Sequence, residues 1–478
     1  MMKSVLKPLI CASSLLALSA CTMAPRYERP VAPVVLDQVE QAATQAADIG
    51  WRDFYQNQQL QTLIEQALDN NRDLRVAALT VEQVRAQYRI QRAQLLPSIN
   101  VTGSGTRQRV AEAVSETGES YIAEQYTAGV GIAAYELDLF GRVQSLKNAA
   151  LERYLATDEA RKSAQLSLVA EVADAYFTWV ANTELKSLAD STLQARQDSY
   201  DMVRQRYESG LASELDLSQA ATALHTARVD AALYQRQLAI SFTALEVLVG
   251  TPLNSQNIQV ASFEEVMLTD LPTTVTSDVL LQRPDILQAE YNLRAANANI
   301  GAARAAFFPR ISLTGSYGNA SRELDNLFDS GTRAWSFTPQ VTLPIFAWGA
   351  NAANLDVARL QKDVNIAVYE KTIQTAFKEV RDSLLSQSTL DAQLAAQQDL
   401  VTAAARSYEL AQLRYERGVD SYLDVLDSQR SLNQAQQALI SMRLAKSRNQ
   451  LTLYKALGGG LREGSTDTQI SQVGFIVR

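Results

Sequence analysis

Few residues in this chain are equipped for chemistry. The only histidine, His225, falls inside a long stretch without glycine or proline, where a structural place suits it better than a ligand or a base. No serine sits in a G-x-S-x-G elbow, and there is neither a Walker loop nor a Cys/His spacing for a metal. Two kinds of group remain. Cys21 closes the tetrapeptide Leu18-Ser19-Ala20-Cys21, behind an apolar run from Leu9 to Leu18 and the basic Lys3 and Lys7. That is the layout of an export signal over residues 1–20 whose cysteine thiol then accepts lipid. Asp424 and Asp427 stand three apart and share one helix face. Such a pair either stays solvated or, gathered with copies of itself, repels its neighbours and attracts cations. No enzyme activity is expected, and no cofactor beyond a covalent lipid on Cys21.

Charge and cysteine usage narrow the setting. The 478-residue chain carries a formal charge of −8, and removal of the signal takes two lysines and no acid, giving −8 − 2 = −10. An acidic chain without a basic block argues against a nucleic-acid partner. Cys11 leaves with the signal, so Cys21 would stand alone and no disulfide can form within the mature chain. Each buried acyl CH₂ contributes ~0.8 kcal/mol, so several chains on one cysteine anchor firmly. Thr22, where an aspartate would signal retention, resembles lipoproteins sent on to the outer membrane. Beyond the signal no apolar run approaches the ~18 residues of a spanning helix. A membrane-spanning part must then be built of strands in a closed barrel.

The elements that position these groups are announced by glycine spacing. Between Gly141 and Gly210 lie 68 residues with no glycine or proline, and between Gly210 and Gly250 lie 39. The same two intervals, 68 and 39, recur from Gly349 to Gly418 and from Gly418 to Gly458. The chain is thus an internal duplication of a helical hairpin. At ~1.5 Å per residue the longer arm extends roughly 100 Å, a length suited to crossing a wide aqueous compartment. The shorter arms add a seven-residue stripe, Leu217, Leu224, Ala231, Leu238 and Leu245, echoed by Val425, Leu432, Leu439, Lys446 and Leu453. Such a repeat imposes left-handed supercoiling and fits a coiled-coil rod or a tube wall equally. Lys446 interrupts it, near a helix end or facing solvent.

Ahead of each long hairpin lies a helix ended by proline and then strand-like sequence. Leu96-Pro97-Ser98-Ile99 is matched by Phe308-Pro309-Arg310-Ile311. Ile99, Val101 and Gly103 alternate with polar neighbours, as do Tyr126, Ala128, Val130, Ile132 and Ala134, then Ile311, Leu313, Gly315 and Tyr317, and finally Trp335, Phe337, Val341, Leu343 and Ile345. With polar loops near 110–120 and 320–332, this reads as two β-hairpins, on a surface or in a membrane barrel with a wet interior. Four strands cannot close a barrel alone. Two copies would give eight strands that side chains fill; three would give twelve and a usable lumen.

Four blocks now resemble one family, the TolC-type outer-membrane factors, in the OprM-like lipoprotein branch that serves drug efflux pumps. They are Trp51 through Leu74, Y-E-L-D-L-F-G-R at 135–142, R-P-D-I followed by A-A-N-A-N-I-G-A-A-R-A-A-F-F-P across 283–309, and R-Y-E-R-G-V-D-S-Y-L-D-V-L-D-S-Q-R at 414–430. The resemblance implies a mainly α fold with a small β part: a homotrimer whose twelve-strand β-barrel continues into a long coiled-coil α-helical barrel with a mixed equatorial belt. On that plan residues 21–50 are a lipidated tether and 51–96 a helix. Hairpin one occupies 97–140, the first long helical hairpin 141–250, and an equatorial connector 251–282. The second repeat follows with a helix at 283–308, a β-hairpin at 309–346, a helical hairpin at 347–457 and a tail at 458–478.

The same resemblance assigns roles at the hairpin tips. Asp424 and Asp427, with Leu423 beside them, would line a narrow entrance ring in the trimer. Tyr415 and Asp216 would form a hydrogen-bonded latch. Gly210 and Gly418 would turn the chain at tips that dock a periplasmic adaptor. Asp420 stands where some members carry a latch arginine, which puts an arginine latch in doubt and adds an acid at the mouth. The expected function is a passive exit duct for drugs, in outer-membrane lipid, fed by the adaptor and a proton-driven inner-membrane transporter. A poreless lipid-anchored scaffold, and a duct for proteins or metal ions, are the alternatives.

Overall fold

A computed structural model describes residues 22–33, 49–116, 118–254, 262–263, 268–269, 271 and 280–464. The export signal with Cys21, most of the 251–282 connector and the end of the tail lie outside the described residues. The chain divides into two compact units. The first combines residues up to 31 with 80–157 and 288–369; the second takes 32–79, 158–287 and 370 onward.

The duplication is visible in element lengths. Helix α3 (Arg72–Ala93) and helix α6 (Pro284–Ala305) each have 22 residues, and strands β1 (Ile99–Val110) and β3 (Arg310–Ser321) each have 12. Helices α4 (Arg142–Glu208) and α7 (Ala350–Glu416) both run 67 residues without a break. The return arms are α5 (Glu214–Val249) and α8 (Tyr422–Ala456). Strand β2 spans Tyr121–Leu137 and β4 spans Arg333–Thr342. None of the described helices is long and apolar enough to cross a membrane.

Region 51–96 departs from the single helix expected. It is broken into α1 (Trp51–Phe54), α2 (Gln58–Asn70) and α3. The breaks are polar caps. Asn57 accepts from the Leu60 amide at 2.9 Å, and Asn71 accepts from the Leu74 amide at 2.9 Å while donating to the Leu248 carbonyl at 2.8 Å. An asparagine that satisfies free amide groups starts a helix without any glycine or proline to announce it. At the first break Tyr55 also forms a β-bridge with Leu268.

In the first unit, the two predicted hairpins are one antiparallel sheet ordered β1-β2-β3-β4. Its register lines up Val101, Val130, Tyr317 and Trp335 as one row across all four strands. The next matching row is Ile99, Ile132, Gly315 and Phe337. Between them runs a polar row, Asn100, Gly131, Ser316 and Ser336, in which the two serine hydroxyls lie 2.7 Å apart. Directly paired residues share a face, so one face of the sheet is apolar and the other small and polar. A bulge between Ile132 and Tyr135, with Ala134 at φ 50°, moves Ala134 out of its expected alternation. It brings Tyr135 and Leu137 opposite Leu313 and Ile311, which keeps the apolar face in phase. Strand β4 ends at Thr342, so Leu343 and Ile345 lie outside it; Pro344 has no amide to continue the ladder. The outer edges of β1 and β4 pair with no described strand.

Residues 22–29 are held by contacts, which corrects the expectation of a free tether there. The segment lies along a stripe of α6 formed by Glu290, Arg294, Asn297, Gly301 and Arg304. Asn297 donates to the Pro25 carbonyl at 2.7 Å and Arg304 to that of Met23 at 3.1 Å. A Cβ on Gly301 would stand 2.6 Å from the Ala24 nitrogen, so only glycine admits the segment. Thr22 and Ser145 hydroxyls meet at 2.8 Å. The buried Glu290 carboxylate accepts from Arg29, from Arg294 at 2.5 Å and from the Tyr27 hydroxyl at 3.3 Å. Burial pushes its pKa up, but these bonds outweigh burial and hold it below the ordinary carboxylate value.

The second unit owns the main apolar core. Trp51, Phe54 and Tyr55 of the first block pack with Tyr176, Phe177 and Trp179 of α4 and Leu245 and Val249 of α5. Phe54 stacks on Tyr454 with centroids 3.9 Å apart, and the Tyr454 hydroxyl donates to the Ile49 carbonyl at 2.8 Å. The arginine of R-P-D-I, Arg283, is buried and reaches Asp285 at 2.7 Å, Glu379 at 2.9 Å and the Ala456 carbonyl at 3.0 Å. Along α5 the seven-residue stripe is the inward one, with Leu224, Ala231 and Leu245 buried. Lys446 is neither terminal nor free: it pairs with Asp391 of α7 at 2.6 Å.

Two outcomes follow. If the apolar rows face lipid, Val130→Arg should destabilise the folded protein by ~2–4 kcal/mol near mid-bilayer, while Ser336→Arg on the polar row should cost less; urea unfolding from lipid vesicles reads both. Glu290→Gln should cost about 2 kcal/mol, because charged hydrogen bonds are lost but both arginines still reach water. Trypsin cutting after Arg26 reports it. Because the folded pKa of Glu290 is depressed, the clamp should be complete above the unfolded carboxylate range and be lost only as pH falls through the lowered value.

Candidate functional site at the helical hairpin tips

Both long arms end in the same turn. Gly210 and Gly418 have φ of 75° and 73°, left-handed values that a side chain resists. The Leu211 amide donates to the Arg206 carbonyl at 2.7 Å and Gly210 to Tyr207 at 2.9 Å; Val419 to Arg414 and Gly418 to Tyr415, each at 2.9 Å, repeat the pattern. These paired bonds satisfy the last carbonyls of α4 and α7, and reverse the chain. Each reversal leaves an apolar residue exposed, Leu211 and Val419.

The return helices begin on serine caps. Ser213 and Asp216 form a reciprocal box: the Asp216 amide donates to the Ser213 hydroxyl at 3.1 Å, and the Ser213 amide to the Asp216 carboxylate at 3.0 Å. In the second turn the Asp424 carboxylate accepts from the Ser421 amide at 3.1 Å and hydroxyl at 2.6 Å. Asp216 and Asp424 are therefore equivalent positions of the duplication, each a first-turn acid favoured by the helix N-terminus. Leu423, Asp424 and Asp427 are exposed, and Val425 and Leu426 between them are buried. The shared face expected for the two acids is present on α8.

Tyr415 and Asp216 are not joined by a hydrogen bond within the chain. The Asp216 carboxylate is taken up by Ser213, and the Tyr415 ring lies under the Arg206 guanidinium, 4.8 Å from its centroid. Tyr415 also packs on Tyr422, centroids 5.5 Å apart, at the edge of a small core of Val203, Ala220, Tyr422, Val425 and Leu426. Burial raises the Tyr415 hydroxyl above its usual pKa and pushes Tyr422 up to about 12, so both stay neutral donors.

Asp420 is not a bare acid. Arg414 grips it through two bonds of 2.6 and 2.8 Å across the turn, and this hydrogen bonding holds the Asp420 pKa below its ordinary value. The first turn carries Ala212 at the matching position, and its Arg206 is turned to Tyr415. The arginine in each R-Y-E block was the signal for these contacts; which neighbour it would choose depended on the fold.

With this geometry in place, comparison with known proteins identifies the lineage. The outer membrane efflux protein family model matches residues 63–251 and 275–459. This chain belongs to that family. It is 50% identical over 464 residues to the antibiotic efflux pump outer membrane protein ArpC of Pseudomonas putida, covering 95% of this chain and 96% of that one. The toluene efflux pump outer membrane protein TtgC, also of Pseudomonas putida, matches equally, 50% over 464 residues with the same shares. Among solved structures, the open state of the Neisseria gonorrhoeae MtrE outer membrane channel is 41% identical with a TM-score of 0.84, over 94% of this chain and all of that one. The protein is thus an outer-membrane efflux component with a TolC-like channel fold, in a family of channels and not of enzymes. The poreless scaffold reading falls with that membership.

Asp420→Asn should release Arg414 and loosen the second turn. Since the folded Asp420 pKa is depressed, the wild-type pair is complete above the unfolded carboxylate value and is lost as pH falls through the lower folded one. In bilayer recordings, the variant at neutral pH should reproduce the acid-induced change in wild-type channel fluctuation.

Proposed function

We propose that three copies of this chain form one exit duct, pooling their sheets into a twelve-strand barrel and their long helices into a tunnel. The observation that supports it most is the sheet with two unpaired edges and one apolar face. In lipid an open edge leaves backbone groups unsatisfied at several kcal/mol each, and strands from further copies remove that cost. Three such sheets give a lumen where two would be filled. Cys21, acylated after signal removal, anchors the chain to the outer membrane, one residue ahead of the segment 22–29 that α6 holds.

The duct is passive, and its sequence carries no Walker loop for nucleotide hydrolysis. A proton-driven inner-membrane transporter supplies the energy and a periplasmic adaptor docks at the hairpin tips, where Gly210 and Gly418 expose Leu211 and Val419. Its cargo is drug- or solvent-like, in keeping with relatives named for antibiotics and toluene. Asp424 and Asp427 face the axis with Leu423, and threefold repetition gathers their carboxylates into one entrance ring. Crowded carboxylates repel one another and attract cations. Tyr415 and Asp216 restrain the resting tip, Asp216 by capping its own helix and Tyr415 through Arg206.

Purified protein in planar bilayers should give discrete conductance steps, and a smooth baseline would sink the duct. Asp424→Ala with Asp427→Ala should raise single-channel conductance and weaken block by di- or trivalent cations; unchanged block would dispose of the ring while leaving the duct. Tyr415→Phe combined with Asp216→Ala should admit a large antibiotic that the resting channel excludes, read as uptake in whole cells.

A further inference from the structure

The second unit holds a cavity of about 660 Å³ between α5 and α8, floored by Arg196 of α4. Arg196 is only 8% exposed, and its Nη1 is enclosed with no hydrogen-bond partner among the described residues. Arg430 lines the same cavity, and no ion pair joins either guanidinium to a described carboxylate, although Asp230 is also on the wall. Burial, with the neighbouring Arg430 charge adding to it, holds Arg196 below its ordinary pKa. A buried cation facing another cation is unfavourable until an anion joins them. The planar guanidinium fork matches a carboxylate or sulfonate oxygen pair. Leu215, Leu423 and Leu426 supply an apolar side to the same space, whose volume falls within the roughly 300–1,000 Å³ of small-molecule sites.

We propose that this groove binds amphipathic organic anions, their carboxylate or sulfonate held between Arg196 and Arg430 and their apolar body against Leu215, Leu423 and Leu426. Leu423 belongs to both the groove and the proposed entrance, so an occupant lies beside that constriction. The binding claim is independent of conduction and survives or fails without it.

The full-length protein, assembled in lipid nanodiscs, is titrated calorimetrically with 4-phenylbutyrate and with its uncharged counterpart 4-phenylbutanol. The acid should bind saturably and the alcohol about tenfold more weakly or worse, the loss expected when a charged hydrogen bond is removed. Arg430→Gln should weaken the acid by a similar factor, and Asp230→Asn should tighten it severalfold by removing a repelling charge. Arg196→Gln should match Arg430→Gln; if it fails to assemble, the other two variants carry the test. Equal binding of acid and alcohol, or wild-type affinity in both Arg430→Gln and Asp230→Asn, overturns the proposal. So does the lack of any saturable binding, the result expected if a carboxylate of a neighbouring copy already fills the groove.

Discussion

The two edges of a four-stranded sheet, paired by no described strand, set the constraint on which the rest depends. In water such edges can be solvated; in hydrocarbon they cannot. The apolar rows running Val101 to Trp335 and Ile99 to Phe337 suit that sheet to lipid on one face, and the polar row through Ser316 and Ser336 suits it to water on the other. A sheet of this kind is incomplete alone. Its need for further strands makes the chain a component of something larger before any partner is considered.

Duplication supplies the periplasmic half, and small divergences within it supply the site. Both turns use the same left-handed glycine and the same serine-capped return helix, so the backbone is nearly a copy. Side chains break the symmetry. Asp420 faces Arg414 where the first turn has only Ala212, and Asp427 adds an acid where the first repeat has Gln219. The second tip therefore carries more of the charge, while the first lends Arg206 to Tyr415.

The N-terminal segment shows how a helix can be shaped by what lies on it. Glu290, Arg294, Asn297, Gly301 and Arg304 recur at helical spacing along α6, and each touches residues 22–29 or the space they occupy. In the letters, with Glu290 and Arg294 ahead of A-A-N-A-N-I-G-A-A-R, nothing marks these five positions as sharing an occupant. Only packing reveals them as a seat for a second strand of chain.

Much was legible without coordinates because it rests on local rules. Glycine and proline spacing marked the 67-residue arms and their turns, period-two alternation marked the strands, and the seven-residue stripe marked the buried side of α5. Breaks made by asparagine at 57 and 71 were hidden, since a cap is recognised by what its side chain bonds and not by its own type. Likewise the bulge at Ala134, the Lys446–Asp391 pair and the clamp on Glu290 all join residues far apart in the chain or depend on register. Periodicity is a property of neighbours along the backbone, and so the order of residues is enough to set it. The choice of partner for a charge or a cap is made in space, by whichever group the folded chain brings within reach.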